Sequence, residues 1–253
     1  MPDIAWDGSR VVPAAIRTDA PRHNAIVRVT HWMTALSFLA LLVSGIEIVI
    51  SHPRFYWGEN GNVLTPALFS FPIPSSRATV PTGYGYVLAD QNGWSRYLHF
   101  EAAWILVVTG VLYVIFGLFS GHFRKHLLPD PTDRSWAAFT NRLADHLRFT
   151  RRVDADASSY NLLQRLVYLI VIFVLVPLVI WTGLAMSPAF VSAIPSSVTV
   201  FGGRQSARTL HFVISVSLVL FVLVHVGMVW RSGFRNRVIT MITGRAPARK
   251  EAL

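Results

Sequence analysis

The sequence has no cysteine among its 253 residues. That absence removes structural disulfides, thiolate-held zinc, iron–sulfur clusters, cysteine nucleophiles and the thioether attachment of c-type haem. Any metal must therefore sit on nitrogen or oxygen ligands. Charge is scarce too: Asp, Glu, Lys and Arg make up 14% of the chain, against roughly 25% in an ordinary soluble domain. Acid is scarcer than base, with 13 Asp and Glu against 23 Lys and Arg, for a net charge of +10. With 53% hydrophobic residues and a mean hydropathy of +0.45, the composition is that of an integral membrane protein. A cleavable signal peptide is not expected either, because the first 22 residues are polar and contain Pro2, Pro13 and Pro21.

What is present is four apolar stretches, at about 26–50, 97–119, 162–186 and 209–230. Each supplies the roughly 20 residues that a hydrocarbon core about 30 Å thick demands of a helix. Lipid leaves backbone groups no outside partner, so such runs become helices, and they lack the strict alternation of barrel strands. The expected fold is an all-α membrane protein, one four-helix transmembrane bundle over residues 1–253.

The basic residues set its orientation. Four precede the first span (Arg10, Arg17, Arg22, Arg28), eight lie around the connection between the second and third, and six follow the fourth. The other two connections hold five: Arg54, Arg77, Arg96, Arg204 and Arg208. Eighteen against five places both termini and the 120–161 loop in the cytoplasm and the 51–96 loop outside. The positive charge thus reads as topology and contact with anionic lipid, and nucleic acid is not an expected partner. The outer loop is rich in Pro, Gly and aromatics (Trp57, Phe69, Phe71, Tyr84, Tyr86, Trp94) and reads equally as a docking surface or an interfacial belt. In the inner loop Trp136, Phe139, Leu143 and Leu147 recur at helical spacing, as in a short interfacial helix.

Nine histidines occur, and four lie in the spans: His31, His99, His211 and His225. An ionisable side chain inside a bilayer is costly and marks function by default, although a single one is readily explained by an interhelical hydrogen bond. The case rests on the set. His211 and His225 are 14 residues apart, which is only about 40° short of four full turns and about 21 Å of rise. Both face one side of the fourth helix, one near each membrane surface. His31 opens the first helix at the inner level and His99 opens the second at the outer level. Two pairs result, His31 with His225 and His99 with His211.

Facing imidazoles with no carboxylate or thiolate to complete a shell suit the axial positions of a six-coordinate haem iron. A zinc site would need three or four ligands per level. Gly45 and Gly110 lie close to the ligand faces of the first and second helices, where a macrocycle could press on the backbone, or where helices simply pack closely. Arg28, Arg96 and Arg208 each precede a histidine by three residues, one turn nearer the surface, where haem propionates emerge. Snorkelling to lipid headgroups is the competing explanation. His23, His52, His122, His126 and His146 read as ordinary loop residues, with a proton relay at the inner face as the alternative for His122 or His126. Glu47 and Glu101, near the outer helix ends, read as surface carboxylates or as part of a proton path.

RVTHW around His31, RYLHFEAAW around His99 and TLHFVISVSLVLFVLVHV with His211 and His225 resemble the bacterial cytochrome b561 family. That family includes the cytochrome b subunits of nickel-hydrogenases, formate dehydrogenases and thiosulfate reductases. The resemblance covers residues 26–235 and implies two b-type haems in a four-helix bundle of the bacterial inner membrane. The implied activity is electron transfer between a periplasmic redox protein and membrane quinone. HPRFYWGENGN and PIPSSR of the outer loop are similar to forms paired with a periplasmic molybdopterin oxidoreductase. A rival reading, also found among proteins resembling the family, is a stand-alone superoxide:quinone oxidoreductase whose cationic mouth (Arg96, Arg204, Arg208) steers the anion. A third reading is a bundle without redox function, which leaves the matched depths of the histidines unexplained.

Overall fold

The structure, a computed structural model, describes residues 24–62, 64–72, 83–128, 140 and 162–245. Helix α1, Ala25–Ser51, starts where the Asn24 side chain accepts a hydrogen bond from the Ile26 N–H at 3.0 Å. It stops at His52, the residue before Pro53, where the helical backbone is disfavoured. A two-stranded antiparallel hairpin follows, β1 (Arg54–Phe55) against β2 (Phe69–Ser70), with Phe55 opposite Phe69.

Helix α2 runs Gly83–Phe119 and starts well before the expected residue 97. Its first part, GYGYVLADQN, is too polar to register in a hydropathy reading, yet nothing in it forbids a helix that extends beyond lipid. The apolar part is Trp94–Phe119. A π-helical turn, Phe123–Leu127, closes this hairpin of helices. The expected interfacial helix around Trp136, Phe139, Leu143 and Leu147 lies outside the described residues, as does Arg77.

The third span is broken into α3 (Leu162–Ile170), a π-helical segment Val171–Leu175, and α4 (Val176–Ala185). The cause is local. Pro177 has no N–H to give, and its ring crowds the carbonyl of Phe173 four residues back, so the ladder widens by one residue before it. Two short helices, α5 (Pro188–Ala193) and α6 (Ser196–Thr199), lead to the fourth span, α7 (Arg204–Arg231), and to α8 (Phe234–Thr243).

Burial is inverted relative to a water-soluble protein. None of the most apolar 18-residue window of α7 is buried, and Val29, Leu36, Val108, Leu223 and Val224 are exposed. Within the spans the buried positions are mostly small, Thr30, Ser37, Ser44, Ser95, Ala102, Thr109, Thr182, Ala185, Ser206, Ala207 and Thr209, while large buried residues such as Phe55, Tyr56 and Phe123 lie in the connections. Lipid is as apolar as a leucine side chain, so helices gain little by hiding leucine. They meet where small residues let backbones approach and where hydroxyls return their proton to a carbonyl one turn back. Thr30 bonds Ile26 O at 2.8 Å in this way, Ser44 bonds Ala40 O at 2.7 Å, and Thr182 bonds Leu178 O at 2.8 Å.

The helices associate as two pairs. Helix α1 packs along α2, and α4 packs on α7, while backbone approach between the pairs is slight among the described residues. The hairpin caps one end of the bundle. Thr209 donates to Tyr56 O at 2.7 Å, Gln205 N–H and Ser206 N–H to Gly58 O at 3.0 and 3.2 Å, and Gly58 N–H to Ser206 Oγ at 2.7 Å. The first-turn N–H groups of α7, which have no partner in their own helix, are thereby satisfied by the loop. Phe55, Phe69, Phe71 and Phe212 form one aromatic cluster there, with Phe55 stacked on Phe69 at 4.7 Å and 4.6 Å from Phe212.

Candidate functional site

Across the gap between the helix pairs stand the four histidines. His99 of α2 faces His211 of α7 with ring centres 6.2 Å apart, and His31 of α1 faces His225 of α7 at 6.4 Å. We call these the outer and inner tiers after the charge bias. A metal–imidazole bond of about 2.0–2.1 Å on each side, with about 1.2 Å from nitrogen to ring centre, puts two trans imidazole centres about 6.4 Å apart. The observed separations would leave room for one metal between the imidazoles of each pair. Among the described residues no group of three or more His, Asp and Glu forms a metal site, so a zinc shell is not assembled.

Hydrogen bonding decides which ring nitrogen is left for that metal. His99 Nδ1 lies 3.0 Å from Ser44 Oγ, and His211 Nδ1 lies 3.0 Å from Thr182 Oγ1. Each hydroxyl has a single proton, already directed at the Ala40 or Leu178 carbonyl, so it must accept from the imidazole. Nδ1 is then the N–H, and Nε2 keeps its lone pair for a metal. His225 has Tyr168 as the corresponding partner, OH to Nδ1 at 3.5 Å, and stacks on Phe221 at 5.8 Å. His31 makes an edge contact with Trp32 at 5.4 Å.

Glycines complete the outer tier. A Cβ placed on Gly45 would meet His99 Cε1 at 3.7 Å, and one on Gly183 would meet His211 Cε1 at 3.4 Å. Ser44-Gly45 and Thr182-Gly183 are thus matching steps on two helices, a hydroxyl to orient the imidazole and a missing side chain to admit its edge. The sequence reading found Gly45 but missed Ser44, Thr182, Gly183 and Tyr168. The signal for three of them was a hydroxyl directly before a glycine in each half. Gly45 stands against the His99 imidazole, and Gly110 has nothing within 4 Å of such a Cβ.

Two of the three arginines give donors to backbone carbonyls elsewhere in the chain. Arg208 donates Nη1 to Arg54 O at 3.2 Å and Nη2 to His52 O, with its guanidinium 4.9 Å from the Phe55 ring centre. Two of its donors hold the outer hairpin, which the sequence could not show because the acceptors lie more than 150 residues away. Arg28 donates Nη1 to Ile242 O at 2.6 Å, and Trp32 Nε1 donates to Met241 O at 3.3 Å. These side chains cap the last carbonyls of α8 and tie the chain's far end to the inner tier. The Arg28 Nε is buried without an acceptor among the described residues. Arg96 is exposed and makes no hydrogen bond or ion pair with the described residues. Partial burial, then the Arg208 guanidinium, lower the pKa of His52 and keep it neutral; Arg96 adds to the effect. His52 is therefore part of the outer mouth and not an ordinary loop residue.

The donor set fits haem. It offers two facing imidazole pairs, with Nε2 left bare on His99 and His211, apolar side chains around them, and Arg28, Arg96 and Arg208 near the two ends.

The sequence matches the prokaryotic cytochrome b561 family over residues 22–244. It is also 32% identical over 212 residues to a protein of Azospira oryzae named as a putative protein-methionine-sulfoxide reductase subunit YedZ1, covering 82% of this chain and 89% of that one. No solved structure matches.

Proposed function

This chain belongs to the prokaryotic cytochrome b561 family, and on that premise we propose that it carries electrons across the bilayer between membrane quinone and a soluble redox protein on the outer side. Membership makes it a multi-pass membrane protein that binds haem b and transfers electrons. The reading proposed beyond that is two haems, one held by His99 and His211 and the other by His31 and His225. The membrane is the bacterial inner membrane, with both termini in the cytoplasm. What carries the proposal is the pair of ring separations, 6.2 and 6.4 Å, at two levels of one bundle with α7 serving both.

Haem, when bound, supplies reversible one-electron storage at each level. The polypeptide does the rest. Ser44 and Thr182 would fix the tautomer and aim of the outer imidazoles, and Tyr168 OH stands 3.5 Å from His225 Nδ1. Lipid-facing aliphatic side chains keep water from both tiers, and the aromatic hairpin roofs the outer one. Arg96 and the spare Arg28 donor offer hydrogen bonds to carboxylates at the two mouths. The relative's name, a reductase subunit, favours electrons moving from quinol outward to a soluble oxidoreductase, for which a molybdopterin enzyme is the class we propose. The superoxide alternative needs a cationic mouth, but Arg204 is 3.8 Å from Glu59 and Arg208 is tied to loop carbonyls. Of the three arginines, Arg96 alone stays uncommitted among the described residues.

The test is a reduced-minus-oxidised spectrum with a haem-to-protein ratio, then reduction of the pigment by quinol and its reoxidation by the soluble partner. Two haems per chain and both half-reactions are expected. A colourless preparation, or one haem per chain, would refute the reading.

Thr182→Val keeps the side chain's volume and removes the acceptor for His211 Nδ1. The imidazole becomes a weaker electron donor, so one midpoint potential should rise. A hydrogen bond of about 0.5–1.5 kcal/mol corresponds to about 20–65 mV for one electron. A redox titration in which neither potential moves would return Thr182 to a packing role.

A further inference from the structure

On the side of the α1–α2 pair turned away from the histidines runs a groove of about 550 Å³. Its walls are Met33, Trp104, Ile105, Val108 and Leu112, and its one ionisable residue is Glu101. Glu101 and Val108 lie about 180–200° around α2 from His99, so the groove opens toward lipid and not into the tier. It extends from Glu101 to Leu112, about 16 Å along the helix. Glu101 is exposed, lies seven residues inside the apolar segment that starts at Trp94, and has no hydrogen bond or ion pair with the described residues. A lone carboxyl group at that depth is expensive unless something pairs with it.

We propose that this groove binds an isoprenoid quinol, its ring hydroxyl donating to the Glu101 carboxylate and its tail lying along Trp104, Ile105, Val108 and Leu112. The proposal rests on the reading of the protein as a quinone-linked cytochrome, and it adds where the quinone sits: with its ring beside Glu101, near the level of His99, and its tail running toward the inner tier, where Val29, Thr30 and Met33 of α1 form the far wall. The chemistry selects this occupant. A phospholipid acyl chain has no donor for the carboxylate, and a phosphate headgroup would be repelled by it. A flat ring bearing hydroxyls on a branched hydrocarbon tail satisfies both the polar end and the apolar length.

The experiment uses the full chain with its haem in lipid nanodiscs and a decyl-substituted benzoquinol as probe. KM and kcat for haem reduction are read alongside haem content and midpoint potentials. Glu101→Leu should raise KM at least tenfold with haem content and potentials unchanged, and Glu101→Gln, which retains an acceptor, only a few-fold. Val108→Phe fills the groove without touching the carboxylate and should also raise KM; Ile105→Phe serves as a second filling variant should Val108→Phe lose haem. If all of these keep KM within twofold of wild type, the site is elsewhere. A shift from dimer to monomer with KM unchanged would assign the groove to a second copy and overturn the proposal. Wild-type protein that holds haem but takes no electrons from the quinol would overturn the functional reading itself, an outcome visible before any substitution is made.

Discussion

If the proposed pairing holds, His211→Ala should lower the haem content from two per chain to one, and His99→Ala should remove the same haem. His225→Ala and His31→Ala remove the other. The expectation follows from the pairing: each tier's imidazoles come from different helices, and the two tiers share only α7. Losing one axial nitrogen leaves a single ligand in an apolar gap, with no third side chain from the described residues to replace it. The measurement is pigment stoichiometry with spectra of the four variants. His99→Ala and His211→Ala should give matching residual spectra, distinct from the matching pair given by His31→Ala and His225→Ala. Any other grouping would show that the tiers are wrongly paired, and four variants that keep both haems would remove the histidines from ligation altogether.

Gly203→Ala produces the largest loss of stability. Gly203 has φ +124°, a backbone conformation that side chains rarely adopt, and an added Cβ would lie 2.5 Å from the carbonyl carbon and oxygen of Gly58 and 2.6 Å from the amide nitrogen of Glu59. The strained backbone costs about 1–3 kcal/mol. The collision is with backbone that cannot rotate away, and overpacking of this kind costs about 1–3 kcal/mol more. The residue sits where the outer hairpin meets the start of α7. Glu59 Oε2 accepts the Arg204 N–H at 3.0 Å there, and Gly58 bonds Gln205 and Ser206. The hairpin should lift, exposing the aromatic cluster, and the Tm for loss of the outer-tier haem should fall by about 10 °C. Differential melting of the two haem bands, with hydrogen exchange over 54–60, reports it. An unshifted melt would mean that the hairpin does not brace α7.

Much of the site was legible because the bilayer simplifies the problem. Only helices and closed barrels can cross it, so hydropathy located all four spans to within a few residues except where helices run on into polar sequence: α2 begins at Gly83 and α7 at Arg204. A helix fixes both angle and height from residue number, so the 14-residue interval between His211 and His225 was enough to set two levels. The groove's carboxylate, too, was visible as Glu101 about 200° from His99, although nothing in the sequence showed the trough beside it.

The partners of these groups were not legible. Arg208 looked like a ligand to a haem edge because it lies one turn from His211, yet it spends two donors on carbonyls of His52 and Arg54. Arg28 likewise reaches Ile242, 214 residues away. Ser44 and Thr182 looked like ordinary small residues of membrane helices until the imidazoles were found against them.

Composition and helical periodicity by themselves determined that this chain crosses the membrane four times and carries two tiers of imidazoles, because lipid thickness and a 100° step per residue admit no other arrangement of those side chains. The choice of hydrogen-bonded nitrogen on His99 and His211, the bracing of the outer hairpin and the groove beside Glu101 were decided only in three dimensions. Each depends on how one helix is rotated against a neighbour far away in sequence, and that rotation is set by contacts no single segment contains.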